Sequence, residues 1–172
     1  MIKTVFLDRD DTICRSVPYC SKPQDLVLFE GAGTAISRLK ENGFLLLLIT
    51  NQSGISRGYF THDDLSAIHQ KMQNDLSESG AIIDDIFYCP CHPTEGCKDR
   101  KPEFGLFTKA SKKYDIDINK SYMVGDKKID IIAGKRFGVT TILVSNKEES
   151  GDEDYFAEDI TQAADWIIKN EK

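Results

Sequence analysis

Short apolar runs that stop at polar residues constrain this chain more than any other feature. Val5-Phe6-Leu7 ends at Asp8, with Asp10 and Asp11 just behind. Phe44 to Ile49 is continuously apolar and gives way to Thr50-Asn51-Gln52-Ser53-Gly54. Tyr122-Met123-Val124 is closed by Gly125-Asp126-Lys127. Runs of this length read as strands buried on both faces. Asp85 to Tyr88 and Thr140 to Val144 read the same way. Helical periods fill the intervals. One helix runs from Glu30-Gly31 to about Glu41, with Ala35, Ile36 and Leu39 on one face and Asn42-Gly43 as its stop. A second is capped by Thr61, with Asp63 and Asp64 in the first turn, and runs to about Glu78. Others span about Glu103–Tyr114, Asp130–Phe137 and Thr161–Lys169. The alternation predicts an α/β fold: a doubly wound, mostly parallel sheet with helices on both faces. No repeat or composition break divides residues 1–172, so one domain is expected. Only the stretches 9–28 and 89–102 are long irregular loops. They leave no room for a large cap domain. In a parallel sheet the polar strand ends share one edge, which is where ligands bind.

The bulk composition narrows the class. The chain has 172 residues, 40% of them hydrophobic and 29% charged, as a soluble globular domain requires. A net charge of −6 argues against a nucleic-acid surface. It leaves room for an anionic small molecule, because a metal and a few local Lys or Arg residues can reverse the field in a pocket. No apolar run is long enough to span a membrane. Met1-Ile2-Lys3 leads directly into the first strand, so no signal peptide is expected. The odd count of five cysteines fits reduced thiols in a cytoplasm.

Asp8 and Asp10 sit two apart, and a persisting strand pleat would turn both to one face. Clustered carboxylates repel and need a cation, and an oxygen-only set suits Mg²⁺. Thr50, Asn51 and Asp126 end other strands, and Arg100-Lys101 lies in a loop. Singly, these are ordinary features: a strand-end hydroxyl, a turn acid, a solvated basic pair. Together they are the parts of phosphoryl transfer. That chemistry needs a carboxylate nucleophile, a metal to neutralise charge, a hydroxyl and a lysine on the phosphoryl oxygens, and a second acid for the leaving group.

The strings that carry this chemistry are Phe6-Leu7-Asp8-Arg9-Asp10-x-Thr12, Thr50-Asn51-Gln52-Ser53-Gly54-Ile55 with Arg57-Gly58, Arg100-Lys101-Pro102, and Met123-Val124-Gly125-Asp126-Lys127 with Asp130. In this order they resemble the haloacid dehalogenase (HAD) superfamily. Within it they are similar to the cap-less branch of heptose bisphosphate and histidinol-phosphate phosphatases. The resemblance implies a Rossmann-like core and a Mg²⁺-dependent phosphatase that works through an aspartyl phosphate. Asp8 would be nucleophile and metal ligand. Asp10 would be general acid/base and bind the metal through its backbone carbonyl. Thr50 and Lys101 would steady the phosphoryl group, and Asp126 would complete the metal site. Arg100 and Lys127 would bind substrate, in a pocket lined by Ser16, Val17, Pro18, Tyr19, Asn51, Gln52 and Ser53. Asp130 matches the last acid of the motif and equally suits a solvated helical position. The implied substrate is D-glycero-D-manno-heptose 1,7-bisphosphate, losing its 7-phosphate. Histidinol phosphate or another small phosphorylated metabolite is the alternative, and the enzyme is expected to be a cytoplasmic monomer. A phospho-accepting receiver module is the rival from another class. It needs an acid at the end of a central strand, where this chain has Thr50-Asn51 and Tyr88-Cys89.

Two features depart from the family pattern. Cys89, Cys91, His92, Cys97 and Asp99 have ligand types that suit structural Zn²⁺. The family's zinc loop reads Cys-x-His, a spacer, then Cys-x-Cys. Here Cys91 stands at the histidine, and Asp99 replaces the last cysteine. Asp11 stands where relatives carry Gly, at a turn expected to need positive φ. Asp tolerates that conformation, so Asp11 is expected to point outward or be paired.

Overall fold

The computed structural model describes residues 1–145 and 151–171. Six parallel strands form one sheet: β1 (Thr4–Leu7), β2 (Leu45–Asn51), β3 (Asp85–Cys89), β4 (Tyr122–Gly125), β5 (Thr140–Val144) and β6 (Tyr155–Ala157). Their order across the sheet is β3-β2-β1-β4-β5-β6. The helices are α1 (Ala32–Glu41), α2 (His62–Ser77), α3 (Gly105–Lys113), α4 (Lys128–Phe137) and α5 (Ile160–Lys169). The chain winds outward from β1 to β3, returns to β4 beside β1, and winds out the other way. The reversal between β1 and β4 is the topological switch point, the crevice where doubly wound sheets bind ligands.

The strand pleat sorts the core into two layers. Val5, Leu7, Leu46, Leu48, Val124 and Ile142 pack with Ile36, Ile68, Met72 and Ile167 on the face of α1, α2 and α5. Phe6, Leu47, Ile49 and Met123 point the other way, onto Leu106, Phe107, Ala110 and Ala133 of α3 and α4. Phe6 lies 4.8 Å from the Phe107 ring and 5.8 Å from that of Phe137. Both faces are buried, which is why these strands read as unbroken apolar runs rather than alternating ones.

Local signals set most boundaries. Thr61 Oγ1 accepts the Asp64 amide at 3.1 Å, and Asp64 Oδ2 accepts the Thr61 amide at 2.8 Å. This reciprocal capping box starts α2 where the sequence places it. Other elements differ: α1 starts at Ala32 rather than Glu30-Gly31, and α4 at Lys128 rather than Asp130. β2 runs on through Thr50 and Asn51, because its neighbour β3 reaches Cys89 and pairs with both. α3 starts at Gly105 rather than Glu103, since residues 98–104 turn back to bring the Gly105 amide to Lys98 O. β6 lies in a stretch without a strand signal, and its three residues are held by pairing with β5. The expected loop Ser145–Asp154 lies partly outside the described residues. No helix among the described residues is long and apolar enough to cross a membrane.

Candidate active site

Four polar side chains meet at the switch point. β1 ends at Leu7, and the next amide, that of Asp8, still bonds to Val124 O of β4 at 2.9 Å. That bond holds Asp8 beside the end of β4. Lys101 Nζ lies 2.7 Å from Asp8 Oδ1 and 2.8 Å from Ile49 O, and it is 2.6 Å from Asp130 Oδ1 in an ion pair without hydrogen-bond alignment. Lys101 is only 3% exposed. It comes from a long loop, and Asn51 fixes its peptide: Asn51 Oδ1 accepts the Lys101 amide and Asn51 Nδ2 donates to the Lys101 carbonyl, each at 3.1 Å. The end of β2 therefore clamps the backbone whose side chain reaches β1.

Asp130 is buried at 1% exposure, not solvated. It sits in the first turn of α4 and accepts the Lys127 amide at 3.0 Å, so it caps the helix and pairs with Lys101 at once. Gly125 makes room for it: a Cβ there would stand 2.5 Å from the Asp130 carboxylate. Asp126 pairs with Lys127 Nζ at 3.2 Å through Oδ2, while its Oδ1 is buried without a partner. Oxygens of Asp8, Asp126 and Asp130 lie within 4.8 Å of one another. Burial and the nearby charge of Asp8 push the Asp126 carboxyl up to about 7. Burial also raises Asp130, against the pull of Lys101. Burial alone would lower Lys101, but Asp130 and Asp8 hold it above the usual lysine range. Three clustered carboxylates, two of them sharing Lys101, gather negative charge, and Asp126 Oδ1 is orphaned among them. An oxygen-only set of this kind fits a hard divalent cation such as Mg²⁺.

Asp10 does not share its carboxylate with that cluster. The pleat ends at Leu7, so the spacing of two no longer keeps Asp8 and Asp10 on one face. Arg9 Nε and Nη2 donate to Asp10 at 3.1–3.2 Å, and Gln52 Nε2 donates to Asp10 Oδ2 at 3.1 Å. Gln52 also reaches Thr50 Oγ1 at 2.9 Å, which ties Thr50 to Asp10. Ser53 O accepts the Arg57 amide in the turn after β2. Arg100 donates to Cys91 O at 3.3 Å, and Lys127 lies exposed beside Asp126.

The segment Ser16–Tyr19 rises above the strand ends. Val17 is half-buried against the core, while Ser16, Pro18 and Tyr19 are exposed. The Tyr19 ring sits 4.6 Å from Tyr59, and Arg57 lies over it at 5.6 Å. Asp11 adopts φ 58° and is exposed, and its Oδ1 accepts the Ser16 amide at 3.0 Å. Asp thus supplies both the left-handed turn and a bond that anchors this segment. A cavity of about 560 Å³ adjoins the cluster at Asp126. Asp11, Glu30, Asp126, Glu158 and Asp159 face it, with Arg15 as the balancing cation. That wall repels anions, so Lys101 and Lys127 offer a phosphate the better seat.

The cysteine loop is only partly assembled as a metal site. The sulfurs of Cys89, Cys91 and Cys97 lie within 4.8 Å of one another, with Cys91 and Cys97 joined as a disulfide and Cys89 a buried free thiol. His92 and Asp99, the other expected ligands, are turned elsewhere. His92 Nδ1 bonds to Thr94 Oγ1 at 2.8 Å and caps the short turn Pro93–Glu95. Asp99 is paired with Lys109.

The sequence assigns no role to two participants: Arg9, which lies inside the first string between two acids, and His69, which lies in none of the strings. Asp130 had one, as an acid of the last string, and the structure places it at the third position of α4, where it caps the helix.

The HAD-hydrolase-like family model matches residues 99–170. The D-glycero-beta-D-manno-heptose-1,7-bisphosphate 7-phosphatase of Haemophilus ducreyi is 42% identical, covering 81% of this chain and 80% of its own. That of Pasteurella multocida is 38% identical over 99% of this chain and 93% of its own. The crystal structure of the D,D-heptose 1,7-bisphosphate phosphatase of B. bronchiseptica, complexed with magnesium and phosphate, superimposes with a TM-score of 0.89. It is 30% identical and covers 98% of this chain and 99% of that one. Matched along nearly its whole length in sequence and in fold, this chain belongs to the HAD superfamily, in the branch of heptose bisphosphate phosphatases that these relatives represent.

Proposed function

We propose that this phosphatase removes the 7-phosphate of D-glycero-D-manno-heptose 1,7-bisphosphate through an aspartyl phosphate on Asp8. The observation that carries the reading is the cluster of Asp8, Asp126 and Asp130, with buried Lys101 paired to Asp8 and Asp130 and Asp126 Oδ1 left unpartnered. The names of the relatives supply the substrate.

In this reading an Asp8 carboxylate oxygen attacks phosphorus, and the phosphorus–oxygen bond to the sugar breaks. Asp10 gives its proton to the departing alkoxide. A water then attacks the phosphorus of the acyl phosphate, Asp10 takes a proton from it, and Asp8 is released as carboxylate along with inorganic phosphate. Lys101 and the Thr50 hydroxyl hold non-bridging oxygens. Asp8, Asp126 and the Asp10 carbonyl would hold Mg²⁺, with Asp130 beside them. When bound, the ion neutralises charge shared by the carboxylates and the phosphate. Arg100, Lys127 and the segments Ser16–Tyr19 and Asn51–Ser53 shape the rest of the pocket. Cys89, Cys91 and Cys97 would hold structural Zn²⁺ once the disulfide is reduced, and a reducing cytoplasm supplies that condition.

A hydrolysis panel tests the reading: heptose 1,7-bisphosphate, histidinol phosphate and simple sugar phosphates, each with and without Mg²⁺, on protein whose zinc content has been measured. The bisphosphate should be preferred and turnover should need Mg²⁺. Preference for histidinol phosphate would replace the substrate, and zinc below one atom per chain in reduced protein would remove the zinc site.

Metal binding should also respond to pH. Asp126, raised to about 7, holds its proton in the metal-free fold at mildly acidic pH. A folded value above the unfolded one favours the fold below about pH 4, and that advantage is lost as pH rises through 7. The metal-free protein should therefore weaken as pH rises from about 4 to about 7 and change little from this group above that. Mg²⁺ needs the ionised carboxylate, so its affinity should fall roughly tenfold per unit below about pH 7. Calorimetric titration at pH 6 and pH 8 checks this, and equal affinities would contradict it.

A further inference from the structure

His69 lies far from the sequence motifs, on the apolar stripe of α2 with Leu65, Ile68, Met72 and Leu76. It is 7% exposed. An aliphatic residue would fill such a position without any polar atom to satisfy. The reason for a histidine is Arg9, which is 1% exposed and wedged between the end of β1 and α2. A guanidinium carries five N–H donors and is costly to bury without acceptors. Arg9 has two kinds of acceptor. Nε and Nη2 reach the Asp10 carboxylate, and Nη1 meets His69 Nε2 at 3.3 Å. Burial first, and then the Arg9 charge, depress His69 to about 3. Its imidazole is therefore neutral, with the lone pair of Nε2 free to accept. The His69 ring is packed edge-on against Tyr88, which in turn bonds to His62 at 2.8 Å, so its orientation is set from the far side as well.

We propose that His69 is a positioning residue: by accepting from Arg9 it fixes the guanidinium that orients the Asp10 carboxylate. This rests on the reading of Asp10 as general acid/base. His69 touches no substrate. It acts through one side chain on the proton-transfer step. Without an acceptor at Nη1, the buried guanidinium turns to find another, and its two-atom grip on Asp10 goes with it. Proton transfer depends on placement to a fraction of an ångström, so the cost falls on reactions that need the proton.

The test is His69→Leu beside His69→Gln, assayed on two kinds of substrate. An alkyl phosphate, such as a sugar phosphate, leaves as an alkoxide and needs the Asp10 proton. p-Nitrophenyl phosphate leaves as a stable phenolate and does not. kcat/KM covers the steps through formation of the acyl phosphate, so it isolates the leaving-group proton. For His69→Leu, kcat/KM on the alkyl phosphate should fall about tenfold while that on p-nitrophenyl phosphate falls less than about threefold. His69→Gln retains a side-chain acceptor and should recover most of the loss. Equal loss on both substrates, or loss tracking a lowered melting temperature in both variants, would overturn the proposal. If His69→Leu does not fold, a His69→Gln enzyme with unchanged discrimination supports it, and one with the selective loss overturns it. A parent protein that hydrolyses neither substrate would refute the phosphatase reading instead.

Discussion

Replacing Asp8 with asparagine will abolish turnover and leave the metal-free protein at least as stable as its parent. An amide cannot attack phosphorus, so kcat should fall at least ~10⁴-fold. The fold has reason to tolerate the change. Asn keeps an oxygen for the 2.7 Å contact with Lys101 Nζ, and Lys101 keeps Ile49 O and Asp130. What is lost is one negative charge from a group that already has too many. The charge of Asp8 helps raise both Asp126 and Asp130. Without it, Asp126 should titrate nearer the ordinary carboxylate range. The stability that the parent loses as pH rises through about 7 should shrink in step. Urea midpoints at pH 6 and pH 8 without Mg²⁺, together with turnover, check both halves. A variant with more than about 1% of parental activity would take Asp8 out of the nucleophile's role. One that unfolds more easily at pH 8 would contradict the electrostatic account.

Lys101→Met is expected to do damage on both counts. Methionine matches the alkyl stem but removes the cation that Asp8 and Asp130 share inside the protein. Removing one partner of a buried ion pair leaves the other charge uncompensated, at a cost of about 3–5 kcal/mol. Asp130 can relieve part of that by staying protonated, which its raised pKa already favours. The phosphoryl group loses its buried cation, so kcat/KM should fall by about 10²–10³. Added Mg²⁺ should restore stability better than it restores rate, because the ion replaces the charge but not the donor at the Lys101 position. Denaturant melts with and without Mg²⁺ separate the two effects. A stable, active Lys101→Met enzyme would show that the lysine is neither a needed counter-ion to Asp8 and Asp130 nor a donor to the phosphoryl group.

The two variants also expose why some of this site is written in short stretches and some is not. Strand runs and their polar ends are local facts: residue type and spacing decide whether a segment can be buried and where it must stop. β1, β2, β4 and β5 follow from that, as does α2 with its Thr61–Asp64 cap. So does the gathering of Asp8, Thr50 and Asp126 on one edge, since parallel strands leave no other place for their ends. The left-handed turn at Asp11 was implied by the family resemblance, and Asp tolerates it.

What each side chain does there depends on partners far along the chain. Lys101 is 93 residues from Asp8, and Asn51 brings it there by holding its backbone. His69 is 60 residues from Arg9, and only the packing of α2 on the sheet makes them neighbours. No periodicity encodes such meetings. Asp130 looked equally suited to solvent until the Gly125 notch and the first turn of α4 enclosed it. Asp8 and Asp10 looked like a pair, but the pleat ends at Leu7, before both, and they face different partners. β6 is three residues long, too short to carry a period, and exists because β5 offers it an edge. In the cysteine loop the sequence supplied the ligand types, while the path of the backbone brought three sulfurs together and turned His92 and Asp99 away. The sequence by itself thus determined the sheet, its ligand edge and the kinds of residue placed there. The tertiary structure alone decided which charges are buried together, because burial and pairing are properties of surfaces that meet only after the chain has folded.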